Sequence, residues 1–400
     1  MSAKRLSLSL LVLGAMCGMS PWFASAAVLP DMAREGTIDA VHQALLSSAV
    51  QAGFVVGALV VSISGIADRL DPRRVFAGAA VAAAIANATL LLAPIGGDLA
   101  VLARFFTGAC LAGVYPVGMK IAVGWGQRDR GLLVGLLVGA LTIGSASPSL
   151  AAYLGGTAWR SAIVETSLLA AIGGLAVFAA KLGPHHARAP RFEPGAIRLA
   201  WTDRRIRRAY LGYFGHMWEL YAMWAWIGAF FAASFAARYG DAPPLDPRLA
   251  TFCVVAIGAV GALGGGFAAD RLGRTFVTAL SMAVSGLCAV GIGFLFGASI
   301  WLVLPLALVW GVTVISDSAQ FSAAVTELSD RSLIGTMLTV QTCVGFLITL
   351  VSIHLLPYAV DAFSWRYAFL ILAIGPFLGV LAMLRLRLRP EAASMAGGRR

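Results

Sequence analysis

Among the ionisable side chains that interrupt the apolar stretches of this 400-residue chain are Arg104, His216, Glu219 and Asp317. Charge in hydrocarbon is costly, so such residues face a cavity or a partner and mark ion and solute paths. A carboxyl that exchanges a proton is what a proton carrier needs, and a guanidinium suits an anionic group. At roughly 100° per residue, His216, Glu219, Met223 and Trp226 share one helix face, with Tyr221 and Trp224 on the other side. Thr313, Asp317 and Gln320 share a second face, and Arg104, Gly108 and Tyr115 a third. The expected roles are proton carriage or solute contact for Glu219 and Asp317, and solute contact for Arg104. The plainer alternatives are a buried acid bonded to a helix neighbour, and an arginine that snorkels to the outer interface. His216, one turn from Glu219, is expected to orient that carboxylate. Lys120 lies opposite Arg104 near a helix end and reads as a snorkelling cation.

These residues need a membrane around them. Hydrophobic residues make up 59% of the chain and charged residues 12%, about half the charged share of a soluble protein. Mean hydropathy is +0.84. The net charge of +11 lies in basic turns between apolar runs, the pattern of cytoplasmic loops rather than of a nucleic-acid surface. Phosphate-loop, zinc-protease and dinucleotide motifs are missing from the sequence, and the five cysteines lack metal-ligand spacing. A cofactor-free, non-enzymatic chain is expected.

Twelve runs are long enough to span: 6–30, 41–66, 75–97, 98–124, 131–153, 159–182, 209–237, 248–269, 276–297, 300–326, 332–356 and 365–388. The first begins like a signal peptide, but its apolar character continues through Pro30, so a retained helix is expected. Basic residues place both termini in the cytoplasm of a multi-pass inner-membrane protein. One long, basic, proline-bearing segment, 183–208, separates residues 1–182 from 209–389, and 390–400 forms a cytoplasmic tail.

The halves repeat. SGIADRLDPRR (64–74) is echoed by GFAADRLGRT (266–275), about half the chain apart. Trp159 and Arg160 are echoed by Trp365 and Arg366, and Gly131 by Gly335. A parallel repeat of six spans puts a solute site between the halves near the midplane. With these turns the chain resembles the major facilitator superfamily, whose signature is a Gly-x-x-x-Asp-Arg-x-Gly-Arg turn in each half. Gly266, Asp270, Arg271, Gly273 and Arg274 match the second copy. Asp68, Arg69 and Arg73 match the first, with Ser64 replacing the first glycine and Asp71 and Pro72 replacing Gly-Arg. Arg104 and Gly108 match a further pattern of the fourth helix that is tied to proton coupling.

The resemblance implies an all-α membrane fold of two parallel six-helix bundles. A central cavity is lined by helices 1, 4, 7 and 10, where helix 1 offers Trp22 and Ser25. It implies a cytoplasmic latch at Asp68 and Asp270, and structural roles for Glu165 and His354. The expected function is alternating-access transport of a small solute, an organic or inorganic anion, driven by a proton or other ion gradient. Rival readings are an efflux pump for amphiphilic drugs or metabolites, and a polytopic receptor or scaffold that transports nothing. A monomer is expected.

Overall fold

The computed structural model describes residues 3–126, 130–156, 158–186 and 192–399. Secondary structure among them is helical throughout, with no strand. The first span is α1 (Ala3–Gly18) and α2 (Ala24–Glu35); the second is α3 (Ala40–Ser64), followed by the short α4 (Ile66–Arg69). The third is α5 (Pro72–Ala88), and the fourth is α6 (Asp98–Leu111) with α7 (Tyr115–Val123). The fifth and sixth are α8 (Arg130–Leu154) and α9 (Trp159–Ala176). After the central segment and α10 (Leu199–Thr202) comes the seventh, α11 (Arg204–Tyr239). The eighth is α12 (Pro247–Ala256) with α13 (Gly258–Leu272), and the ninth is α14 (Arg274–Phe294). The tenth is α15 (Ile300–Ser316) with α16 (Ser318–Leu328). The last two are α17 (Ile334–Ala368) and α18 (Leu370–Arg387).

Eleven helical spans among the described residues are long and apolar enough to cross a bilayer. The remaining span, the first, is broken over Met19–Phe23, and this corrects the continuous helix expected over 6–30. The fourth span breaks at Ala112–Val114, just before Pro116. The eighth breaks at Ile257 and the tenth at Asp317, where unbroken helices were expected. The eleventh span overruns its expected end at 356 and stops at Ser364, where φ is +60° and Trp365 begins the last span.

Local chemistry explains the signature turns. Asp71 caps α5 by accepting the Arg73 amide at 2.9 Å, and Pro72 occupies the first helical position, where a missing N–H costs nothing. The Arg73 guanidinium, bonded to the Asp71 carboxylate, holds that carboxyl below its usual range. Asp-Pro thus starts the third helix by a different device from the Gly-Arg it replaces. Gly273, at φ +96°, makes the turn between α13 and α14 in a region that favours glycine.

Packing is close because small residues face each other. A Cβ on Gly108 of α6 would fall 1.9 Å from the Val50 carbonyl of α3, so these backbones meet with nothing between them. In the first half α1 packs on α8 and α9; in the second α11 and α14 pack on α18. Across the halves α3 meets α17, and α8 meets α12 and α13. Ser62 bonds Thr339 at 2.8 Å and Ser48 approaches His354 at 3.4 Å on that first seam. His354 also bonds the Leu350 carbonyl, a helix-internal contact consistent with a structural residue, while Glu165 lies on an exposed face of α9. In the central segment, residues 194–198 form a short helical turn against α17 and the Glu193 amide donates to Thr336. Arg188, Pro190 and Arg191 of that segment, and Arg128 of the turn before α8, lie outside the described residues.

Candidate functional site

Glu219 lies near the middle of α11 with 1% of its surface exposed. Both carboxyl oxygens are held from other helices. Ser285 of α14 donates its hydroxyl to Oε2 at 2.8 Å. Trp310 of α15 donates its indole N–H to Oε1 at 2.8 Å. Trp310 and Ser285 are themselves buried. A buried carboxyl with two neutral donors is satisfied without a cation, the arrangement in which it can lose and regain a proton while keeping its partners.

His216 was expected to orient Glu219. It turns instead to Asp317, with Nδ1 2.9 Å from Oδ1 and both side chains 1% exposed. The approach is an ion-pair distance outside hydrogen-bond geometry, and His216 Nε2 and Asp317 Oδ1 have no hydrogen-bond partner among the described residues. Asp317 sits at the break between α15 and α16, which swings it toward α11. Gln320, expected beside it on one face, accepts from Arg274 at 2.8 Å instead. Asp317 remains within electrostatic reach of Glu219. Trp226 donates to the Ile353 carbonyl of α17 at 3.0 Å, and Tyr115 opens α7 just past the break in the fourth span.

Arg104 is fully buried, so it does not snorkel. Nη2 donates to the carbonyls of Pro21 at 2.7 Å and Trp22 at 2.5 Å, and Nη1 to Asn87 at 2.7 Å. The broken first span leaves the Trp22 carbonyl to the forked guanidinium, while the Pro21 carbonyl also accepts the Ala24 amide at 3.3 Å. Asn87 in turn donates to Thr166 and Ser167 of α9. Sequence patterning did not single out Asn87, though a buried amide one helix away from a buried arginine is a legible signal.

The two signature turns differ. Asp68, expected to form part of a latch, bonds Lys120 of α7, which also donates to the Ala67 carbonyl at 3.0 Å. Lys120 therefore does not snorkel freely. Arg69 ends α4, and Arg73 pairs with Asp71 at 2.6 Å. In the second copy, Asp270 lies against the first turn of α8, with Oδ2 3.1 Å from where a Cβ on Gly131 would stand. That places a carboxylate at a helix N-terminus of the other half. Arg271 covers the Phe267 ring at 3.8 Å, and Arg274 forks onto Glu327 at 2.8 and 2.7 Å.

An aromatic cluster that the helix-face reading set aside as packing occupies the seam. Tyr221, read as pointing away from the polar stripe, meets Trp22 at 5.7 Å and Phe346 at 4.9 Å between ring centres. Trp22 also meets Phe54 at 5.0 Å. These rings come from the first-span break, α3, α11 and α17, so they join both halves. Outward of them is a cavity of about 220 Å³ between α2, α8, α11 and α12, lined by Phe23, Ser145, Trp224 and Arg248 among others.

The family model of the major facilitator superfamily matches residues 11–353. The chain belongs to the major facilitator superfamily. A mutant of the nucleoside transporter NupG has a similar fold, with a TM-score of 0.70 over 95% of this chain and 99% of that one at 15% identity. No curated protein sequence matches. As a member of this superfamily the chain is a multi-pass secondary transporter, not an enzyme, and its substrate is a small molecule that crosses a lipid bilayer. In superfamily terms the paired turns are the two signature copies, and the second places Asp270 against α8 of the other half.

Proposed function

We propose that this transporter couples solute movement to protons through Glu219, with the His216–Asp317 pair as a second titratable site. The observation that carries the reading is Glu219 itself, a carboxyl held by Ser285 and Trp310 from two other helices, deep in the bilayer. The neighbouring pair sits at a helix break, the kind of element that changes shape between states. Residues 1–182 and 209–389 act as two rocking halves joined by 183–208, in the cytoplasmic membrane with both termini inside. Asp68, Arg69, Arg73, Asp270, Arg271, Gly273 and Arg274 form the cytoplasmic gate, and Gln320 ties Arg274 to the tenth span. Tyr115 and Trp226 line the path, and a monomer suffices.

The expectation of an anionic solute rested on Arg104. Its guanidinium bonds only neutral partners, Asn87 and two carbonyls, and its buried Nε makes no hydrogen bond among the described residues, so these bonds hold the side chain in place without deciding the charge of the solute. The coupling test uses proteoliposomes loaded with a pH-reporting dye and challenged with a panel of small solutes. A solute that moves protons with the wild type and moves none with Glu219→Gln supports the assignment. Solute flux without proton movement, or unchanged movement in the variant, overturns it. Repeating the assay in inside-out vesicles separates uptake from efflux.

A further inference from the structure

The cavity between α2, α8, α11 and α12 has an unusual division of chemistry. Its charged groups lie together and are spent on one another. Arg248 approaches Asp31 at 3.4 Å and pairs with Asp246 at 3.1 Å, and Arg34 takes the other oxygen of Asp31 at 2.9 Å. Arg248 also donates to the carbonyls of Ala152 and Gly156 at the end of α8. The remaining wall is uncharged and aromatic, built from Phe23, Trp224 and Trp226 with Ser145, Ser149 and Thr251. Phe23 and Trp224 meet edge to face at 5.9 Å, and both touch Tyr221 of the central cluster.

Two residues of that wall each carry a polar atom that is closed to water in this conformation and has no partner among the described residues. Ser145 Oγ and Trp224 Nε1 are each on a side chain 3% exposed, and neither makes a hydrogen bond among the described residues. One comes from α8 in the first half and the other from α11 in the second. An unpaired buried donor is destabilising, so each such group calls for a partner, a bound water or a ligand. The indole can only donate and the hydroxyl can do either, so the missing partner is an acceptor. The wall supplies ring faces and no unspent charge.

We infer that this cavity is a solute site for a neutral, flat aromatic or heteroaromatic molecule bearing a carbonyl or ring-nitrogen acceptor, hydrogen-bonded by Trp224 and Ser145. The volume suits a molecule of roughly a dozen non-hydrogen atoms. A carboxylate or ammonium analogue of the same ring is disfavoured, because it would enter an aromatic wall whose nearby charges are already neutralised. The assignment rests on the transport reading above and names its solute class. Binding here does not depend on proton coupling, so the two fail separately.

The test is equilibrium binding to the purified full-length transporter at fixed pH, with no gradient. Nicotinamide and benzamide are the neutral probes; benzoate and benzylammonium are charged ring analogues, and cyclohexanecarboxamide lacks the aromatic face. The neutral aromatics are expected to bind more tightly than the other three. Trp224→Phe and Ser145→Ala, whose thermal melts establish folding, are each expected to weaken that binding about fivefold. As an independent readout, Ser145→Cys is expected to react with a small methanethiosulfonate reagent and to be protected by nicotinamide. Absence of binding by both neutral probes, equal binding by the charged analogues, or unchanged affinity in both donor variants overturns the assignment.

Discussion

Trp310 donates to Glu219 across 2.8 Å, so the tenth span grips the one carboxyl at the centre of the seventh. The grip passes any movement of α15 directly to the protonatable group. Trp310→Phe keeps the ring volume and deletes the donor. It is expected to slow proton-coupled flux about tenfold while lowering stability by about 1 kcal/mol, because the carboxyl keeps Ser285. Flux in dye-loaded proteoliposomes and a thermal melt report the two effects separately.

The His216–Asp317 pair makes a stability prediction. Removing one partner of a buried pair leaves the other uncompensated, at about 3–5 kcal/mol. His216→Leu is expected to lower the melting temperature strongly, and His216→Leu with Asp317→Leu to recover most of the loss. The double variant should fold and still fail to couple protons. Melts of the three proteins check this, and a double variant no more stable than the single would count against the pair.

Asp270 and Asp68 should not be interchangeable. Asp270 faces the first turn of α8 in the other half, where a carboxylate is worth about 0.3–1 kcal/mol, up to about 2 when partly buried. Asp270→Asn is expected to shift the balance between conformations, read as altered labelling of single cysteines on the cytoplasmic side. Asp68 is tied to Lys120 inside its own half. Asp68→Asn is expected to act on stability instead, with Lys120→Met partly compensating.

The Asp71 cap gives a pH prediction. Arg73 holds the Asp71 carboxyl below its ordinary value. A lowered folded-state pKa means that the contribution is complete above the unfolded value and is lost as pH falls through the folded one. Asp71→Ala is expected to cost about 1 kcal/mol at neutral pH. Its melting curve should approach that of the wild type as the buffer becomes acidic, and a constant gap at every pH would remove the cap from the account.

Periodicity and charge made the spans readable, because a helix face repeats along the chain and basic turns mark one side. They singled out Arg104, His216, Glu219 and Asp317, since charge in hydrocarbon is rare enough to stand out, and the structure buries all four. What they left open was partnership. A helical face says where a side chain points on its own helix and nothing about which helix lies opposite. His216 was assigned to Glu219 by proximity along α11, yet Asp317 reaches it from the break in the tenth span. Arg104 was read as a solute contact because the carbonyls it serves lie at a break in the first span. Tyr221 was placed away from the polar stripe, and there it meets rings from two other parts of the chain, the first-span break and α17.

That break carries a consequence for biogenesis. The chain is made from its N-terminus, so Pro21 and Trp22 reach the bilayer long before Arg104 is synthesised. Until then the Trp22 carbonyl lacks the cation that will hold it, while the Pro21 carbonyl keeps the Ala24 amide; an unpaired carbonyl in hydrocarbon is a costly state for backbone. The first span is therefore an unfinished insertion that the fourth span completes. A ribosome stalled between them should leave the first segment shallow, or dependent on an insertase, and release past Arg104 should drive it home.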